Sequence, residues 1–205
     1  NEIPEAQIAI DSANPEAVEA GFKAHQGRAL LNSINMEKER MESIIPLIRE
    51  HKPRVIGLTI DDNGVTQDAD KRFDLGVQLI ELLTKNDIDL DDIFIDPLIF
   101  PVSAELQAGN VSLNIMGRLK EQYPGVHMVC GLSNISFGLP ERKLINQVYM
   151  MMAMGRGLDA AIIDPLDKRM MASIITARTL LGQDKACKGY LKAYRSDGLN
   201  LELVP

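Results

Sequence analysis

The sequence predicts an α/β fold built on a parallel sheet, of the kind that closes into a (β/α)8 TIM-type barrel. Three observations carry this. Short apolar runs alternate with amphipathic helical segments from end to end. The runs are nearly continuous in apolarity, as strands covered on both faces are. Each run is followed by an Asp or Asn, so one rim of the sheet would collect polar side chains.

The first run, Gln7–Ile10, leads to Asn14-Pro15-Glu16, which reads as an N-cap, a Pro at the first helical position and an acid in the first turn. Val18, Phe22 and His25 would share one helix face, with Gly27 as the stop. Ala29–Leu31 is the second strand, and Met41, Ile44, Ile45 and Ile48 mark the helix after it. Pro46 predicts a kink or break in that helix. Val55–Ile60 precedes a helix marked by Phe73, Val77, Ile80 and Leu83, and Ile93–Ile95 precedes one marked by Leu113, Met116 and Leu119. Val126–Cys130 is followed by a helix with Ile145, Val148, Tyr149 and Met152, and Ala160–Ile163 by one with Met171, Ile174, Ile175 and Leu181. A last helical stretch covers Ala186–Tyr194, before a turn at Gly198.

Strand–helix alternation implies right-handed parallel crossovers. Six units are visible where a closed barrel needs eight. Either the sheet is open and doubly wound, or two leading units are missing from a chain that begins at Asn1 without an initiator Met. No GxGxxG or GxxxxGK[ST] loop is present, which counts against a nucleotide-binding open sheet. The 205 residues suit a single domain.

Composition excludes several classes. The net charge of −7, with no basic stripe, is wrong for nucleic acid. No apolar run is long enough for a membrane span. Cys130 and Cys187 stand in no metal or redox spacing and are expected as reduced thiols, which with the missing leader signal points to the cytoplasm.

The chemistry is expected on the rim: Asp11, Asn32, Asp61, Asp62, Asp96, Asn134 and Asp164 all follow strands. Asp and Asn are also common caps and turn residues, which is the competing explanation. The ring holds no His or Cys, so it suits zinc poorly. Carboxylates and amides can instead bond the donor-rich edge of a pterin or purine, with magnesium as the weaker alternative. His25, His51 and His127 fall off the rim and read as surface or packing residues. Met150–Met152 and Met154 read as core filler. Ser133 and Ser136 lack a nucleophile context. Arg142 opens a helix, where the dipole disfavours a cation, so it has a claim to a ligand role beside a plain surface ion pair.

IDSANPEAVEAG, ALLNSIN, IGLTI, IDPLIFP, GLSNISFGLPERKLIN and MAMGRGLDAAIIDPLD, in this order from Asp11 to about Asp167, resemble the methyltetrahydrofolate:corrinoid protein methyltransferases. The resemblance implies a (β/α)8 barrel of which this chain holds the last six units. It implies methyltetrahydrofolate as substrate, a cobalamin or other corrinoid carried by a partner protein as methyl acceptor, and a homodimer. It assigns Asp11, Asn32 and Asp96 to the pterin ring, with Asp11 also among the catalytic groups. Gly131 would allow close backbone approach, Asn134 would reach the N5 nitrogen that bears the methyl group, and Ser136 and Arg142 would surround the reaction face. Asp61, Asp62 and Asp164 carry weaker assignments. Dihydropteroate synthase is the related alternative, but Ser133–Ile135 stands where that enzyme carries a lysine-bearing SRK segment. A folate-binding subunit without catalysis is a further alternative, as is a metal-dependent lyase or aldolase barrel.

Overall fold

Five of the apolar runs pair into one parallel sheet, in the order in which they occur along the chain. The structure is a computed structural model and describes residues 7–199. The strands are β1 (Ala9–Asp11), β2 (Leu30–Met36), β3 (Arg54–Asp61), β4 (Ile93–Asp96) and β5 (His127–Met128). The helices are α1 (Pro15–Ala24), α2 (Lys38–His51), α3 (Ala69–Thr84), α4 (Ala108–Gln122), α5 (Arg142–Met154), α6 (Lys168–Leu180) and α7 (Lys188–Arg195).

Local chemistry sets the helix starts. The Asn14 side chain accepts from the Glu16 and Ala17 N–H groups, Asp68 from Asp70 and Lys71, and Asp167 from Met170. Each satisfies donors that the first turn leaves free. The Glu37 side chain makes no cap bond for α2; Asp62, from the loop after β3, accepts from the Lys38 N–H at 3.0 Å instead.

The core lies between sheet and helices. Leu31, Ile34, Val55, Ile93 and Ile95 are fully buried against Ile44 and Ile48 of α2, Leu79 and Leu83 of α3, and Ile115, Met116 and Leu119 of α4. Each such side chain contributes about 1.5–3 kcal/mol by leaving water. Gly76 lets α3 and α4 close, because a Cβ there would stand 2.9 Å from Leu119 Cδ1.

Several expectations need correction. β2 runs on to Met36, so Asn32 lies within the strand and not at its end; the pairing with β3 shifts on either side of Ile34. The bulged stretch buries Ile34 completely, an apolar anchor beyond Asn32. Val126–Cys130 shrinks to a two-residue ladder before the chain turns at Gly131. Ala160–Ile163 is not a sixth strand. Two isolated parallel bridges, Met128 with Leu158 and Gly131 with Ile162, hold that stretch beside β5, and Ile162 is 59% exposed. Its outer side has no strand partner among the described residues, so one row of bonds must hold it.

Pro46 does not break α2, which buries Ile44 and Ile48 on either side of it. His25 falls just past the end of α1, and Leu181 just past α6, where it is exposed. Met150 and Met154 are core residues, but Met152 is half exposed. His51 and His127 pack against Phe22 and Phe94, at centroid distances of 4.9 and 4.7 Å.

Candidate functional site

The site begins where β1 and β2 run side by side. Asp11 and Asn32 are register partners in the parallel ladder, so their side chains emerge together. The Asn32 Nδ2 donates to Asp11 Oδ2 at 3.0 Å. That bond orients the amide, and one carboxylate oxygen remains for a ligand. Both residues line a cavity of about 530 Å³ that also includes Asn35, Glu37, Arg40 and Asp62. The Asn35 amide donates to Glu37 Oε2 at 2.6 Å, and its oxygen accepts from the Glu37 N–H.

Arg40 was not legible as a site residue, because nothing in its helix sets it apart in the sequence. Its guanidinium, on α2, donates to the main-chain carbonyls of Ser12, Ala13 and Ser33 at 2.5 to 3.0 Å. It therefore ties the loop after β1 to β2, directly behind Asp11 and Asn32.

Asp96 ends β4, opposite Leu58 of β3. Burial pushes its carboxyl up to about 6, against the pull of the Leu98 and Gly131 N–H groups. The Leu98 N–H donates to Asp96 Oδ1 at 2.8 Å. A carboxyl poised near neutrality can accept from a ligand N–H or carry a proton.

Gly131 turns the chain from β5 into a 3-10 turn, Leu132–Ser136. Apolar periodicity does not report so short an element, yet it carries two of the candidates, Asn134 and Ser136, with Gly131 at its head. Asn134 sits in this turn with its side chain exposed. A Cβ at position 131 would stand 3.3 Å from the Asn134 Nδ2, so glycine leaves room for that amide.

Ser136 is fully buried. Its hydroxyl donates to the Ser133 carbonyl and accepts from Arg142 Nε at 3.1 Å. Arg142 Nη2 donates to the same Ser133 carbonyl at 2.8 Å. Ser136 and Arg142 together brace the turn that carries Asn134.

The other rim acids have local partners. Asp61 accepts from the Asn63 N–H and amide in a tight turn closed by Gly64 at φ +83°. It faces a separate cavity of about 620 Å³ beside Lys71 and Asp74. Asp62 caps α2, and Asp164 accepts from the Leu166 N–H at 2.9 Å. Among the described residues no group of three or more His, Cys, Asp or Glu is placed to hold a metal, and no helix is long and apolar enough to cross a membrane.

Residues 1–164 match the family of pterin binding enzymes. The chain is 36% identical over 197 residues to the methylcorrinoid:tetrahydrofolate methyltransferase of Eubacterium limosum, covering 95% of this chain and 72% of that protein. It is 33% identical over 168 residues to the methionine synthase of Mycobacterium tuberculosis, covering 76% of this chain and 14% of that protein. Among solved structures, a Xanthomonas albilineans dihydropteroate synthase in complex with indole-2-carboxylic acid and 6-chloroguanine superposes with a TM-score of 0.61. That match has 18% identity and covers 88% of this chain and 67% of that one. The fold is thus that of dihydropteroate synthase, and the chain belongs to the family of pterin-binding enzymes that includes methylcorrinoid:tetrahydrofolate methyltransferase.

Proposed function

We propose that this protein is a methyltransferase that moves the N5 methyl group of methyltetrahydrofolate to the cobalt of a corrinoid protein, or runs the transfer in reverse. The observation that carries the reading is the 36% identity to a methylcorrinoid:tetrahydrofolate methyltransferase over nearly the whole chain. The rim supports it with residues suited to a pterin: the Asp11–Asn32 pair, the Asp96 carboxyl and the Asn134 amide beside Gly131.

The pterin ring has a donor edge that Asp11 and Asp96 can accept from, and acceptors that the Asn32 amide can meet. Fixing these bonds in a partly dry pocket orients the ring and rejects ligands that would leave a buried carboxylate unpaired. The N5 nitrogen is a poor leaving group until it gains positive character. Asn134 acts there: its side-chain oxygen accepts from a protonated N5, so the bond strengthens as the transition state is approached. The proton comes through water from a rim carboxyl, for which Asp96 has a suitable acidity. As the N5–CH3 bond breaks, nitrogen keeps the electron pair and the methyl group takes the pair of the acceptor's cobalt(I). The corrinoid belongs to the partner protein and supplies that nucleophile.

Three finer statements are part of the proposal. The five-stranded sheet and the stretch bridged to β5 are the last six units of an eight-unit barrel, in one pterin-binding domain; the outer edges of β1 and of residues 158–163 are where two further units would pair. The protein works as a homodimer, which sedimentation of the full-length protein checks. It works in the cytoplasm, in keeping with the free Cys130 and Cys187 thiols.

Calorimetry of the full-length protein with methyltetrahydrofolate, followed by a cobalamin(I) methylation assay, tests the whole. Binding and methylation are expected. Binding without methylation would replace the enzyme with a folate-binding subunit, and activity abolished by a chelator would point to metal chemistry instead.

A further inference from the structure

Arg72 is the largest fully buried side chain among the described residues, at 1% exposure. It stands on α3, behind the end of β4. No carboxylate pairs with it among the described residues; both of its hydrogen bonds run to main-chain carbonyls, Nη1 to Pro97 O at 2.9 Å and to Leu98 O at 2.7 Å. Its guanidinium also lies over the Phe100 ring, 5.0 Å from the centroid, while its Nε finds no partner. Burying a cation without a counter-ion is costly, and an apolar side chain would pack there with less penalty. The two carbonyls it reaches belong to the turn that follows Asp96.

That turn would not hold its shape unaided. Leu98 has φ +60°, a left-handed conformation that a Leu side chain disfavours. That φ sets the direction of the Leu98 carbonyl, which Arg72 takes, while the Leu98 N–H on the other side of the same residue donates to Asp96 Oδ1 at 2.8 Å. One chain of bonds therefore runs from the Arg72 guanidinium through the Pro97–Leu98 carbonyls and the Leu98 N–H to the Asp96 carboxylate.

We propose that Arg72 is a positioning residue, which locks the Pro97–Leu98 turn and so aims the Asp96 carboxylate at the pterin edge. The pterin part of this inference rests on the methyltransferase reading; the locking of the turn does not. A guanidinium suits the task because the two N–H groups of Nη1 are fixed in the plane that also lies over the Phe100 ring, whereas an ammonium offers neither that fixed direction nor that flat face.

Arg72→Lys and Arg72→Gln in the full-length protein test the inference, the neutral Gln serving if the lysine variant does not fold. Two readouts are needed: amide exchange by NMR, and methyltetrahydrofolate binding with steady-state transfer. The Leu98 amide should exchange about tenfold faster or more while the β4 amides of Ile93 and Ile95 stay protected, because one charge-assisted bond is lost. The Kd for methyltetrahydrofolate should rise about tenfold, and kcat at saturation should fall as well, because the same Asp96 carboxyl is the assigned proton source. Unchanged Leu98 exchange and unchanged Kd in a folded variant would overturn the proposal. So would a uniform rise in exchange across α3, α4 and β4 with normal Kd, which would make Arg72 merely structural. If the wild-type protein bound no folate yet Leu98 exchange rose as stated, the locking role would stand and the pterin reading would fall.

Discussion

The two ends of the sheet carry the same residue types and treat them in opposite ways. At the amino ends, carboxylates are paired with cations. Asp92 is buried and meets Arg28 Nη1 at 2.7 Å and Arg54 Nε at 3.4 Å. Asp159 holds His127 Nδ1 at 2.8 Å and Lys120 Nζ at 3.3 Å, and accepts from the Met128 N–H. At the carboxyl ends, among the described residues, Asp11 and Asp96 meet only neutral donors: an amide in one case, main-chain N–H groups in the other. The arginines near them, Arg40, Arg72 and Arg142, donate to carbonyls or a hydroxyl and leave the acids alone. A paired acid ties elements together, and an acid held only by neutral donors still has an oxygen for a ligand. One end is a clamp and the other a site.

The largest expected effect breaks the site end. Asn134→Ala in the full-length protein removes the group assigned to N5, and should lower methyl transfer about 100-fold or more. Affinity for methyltetrahydrofolate, read by calorimetry, should change little, because this bond matters most in the transition state. Near-normal turnover would remove Asn134 from the mechanism. The next largest effect belongs to the clamp. Asp92→Ala leaves Arg28 and Arg54 without their partner, and should cost about 3 kcal/mol in urea unfolding. The low end of the usual range applies, because both arginines remain partly exposed. Folate affinity of the folded protein should not move. If Asp92→Ala weakened binding as much as stability, the division between the two ends would fail.

Sequence patterns carried the fold further than the site. Strand runs and helix stripes depend on neighbours two to four residues away, and so do caps such as Asn14, whose bonds go to Glu16 and Ala17. Thus α1 to α7 and the five paired strands were readable. The sixth run was not, because it makes only isolated bridges beside β5 and no continuous ladder, which no local pattern records. Asn32 was expected at a strand end, since the apolar run Ala29–Leu31 stops just before it; the buried Ile34 is what prolongs β2. On the rim, Asp11 and Asp96 could be read as polar strand ends, but Asp62 could not be known to cap a helix 24 residues earlier in the chain. The Arg40 and Arg72 clasps left no trace in the sequence for the same reason: Arg72 reaches across 25 residues to carbonyls, which every residue has.

The smallest of these effects gives the sharpest test of what separates the two ends. Asp92, paired with cations, stabilises the fold as a carboxylate, whereas Asp96 is desolvated without a cation and costs stability as a carboxylate. Its carboxyl lies at about 6 in the folded protein, above the ordinary value of 3.8 that applies when the chain is unfolded. Between these values the folded state binds more protons than the unfolded state, so stability falls as pH rises. Below about pH 4 both states are protonated and the penalty is absent; above about pH 6 it is complete. The shift corresponds to at most about 3 kcal/mol, and to about 2 kcal/mol once the partial exposure of Asp96 is allowed for. Asp96→Asn should therefore be more stable than wild type by about 2 kcal/mol at pH 7.5 and by almost nothing at pH 4. Urea unfolding at the two pH values measures this directly. The same variant should lose affinity for methyltetrahydrofolate, because the amide can offer the pterin only one acceptor oxygen and no charge. Stability given up at the site and retained at the clamp is what a functional end of a fold requires. An Asp96→Asn protein no more stable than wild type at pH 7.5 would mean that Asp96 is satisfied in place, as Asp92 is.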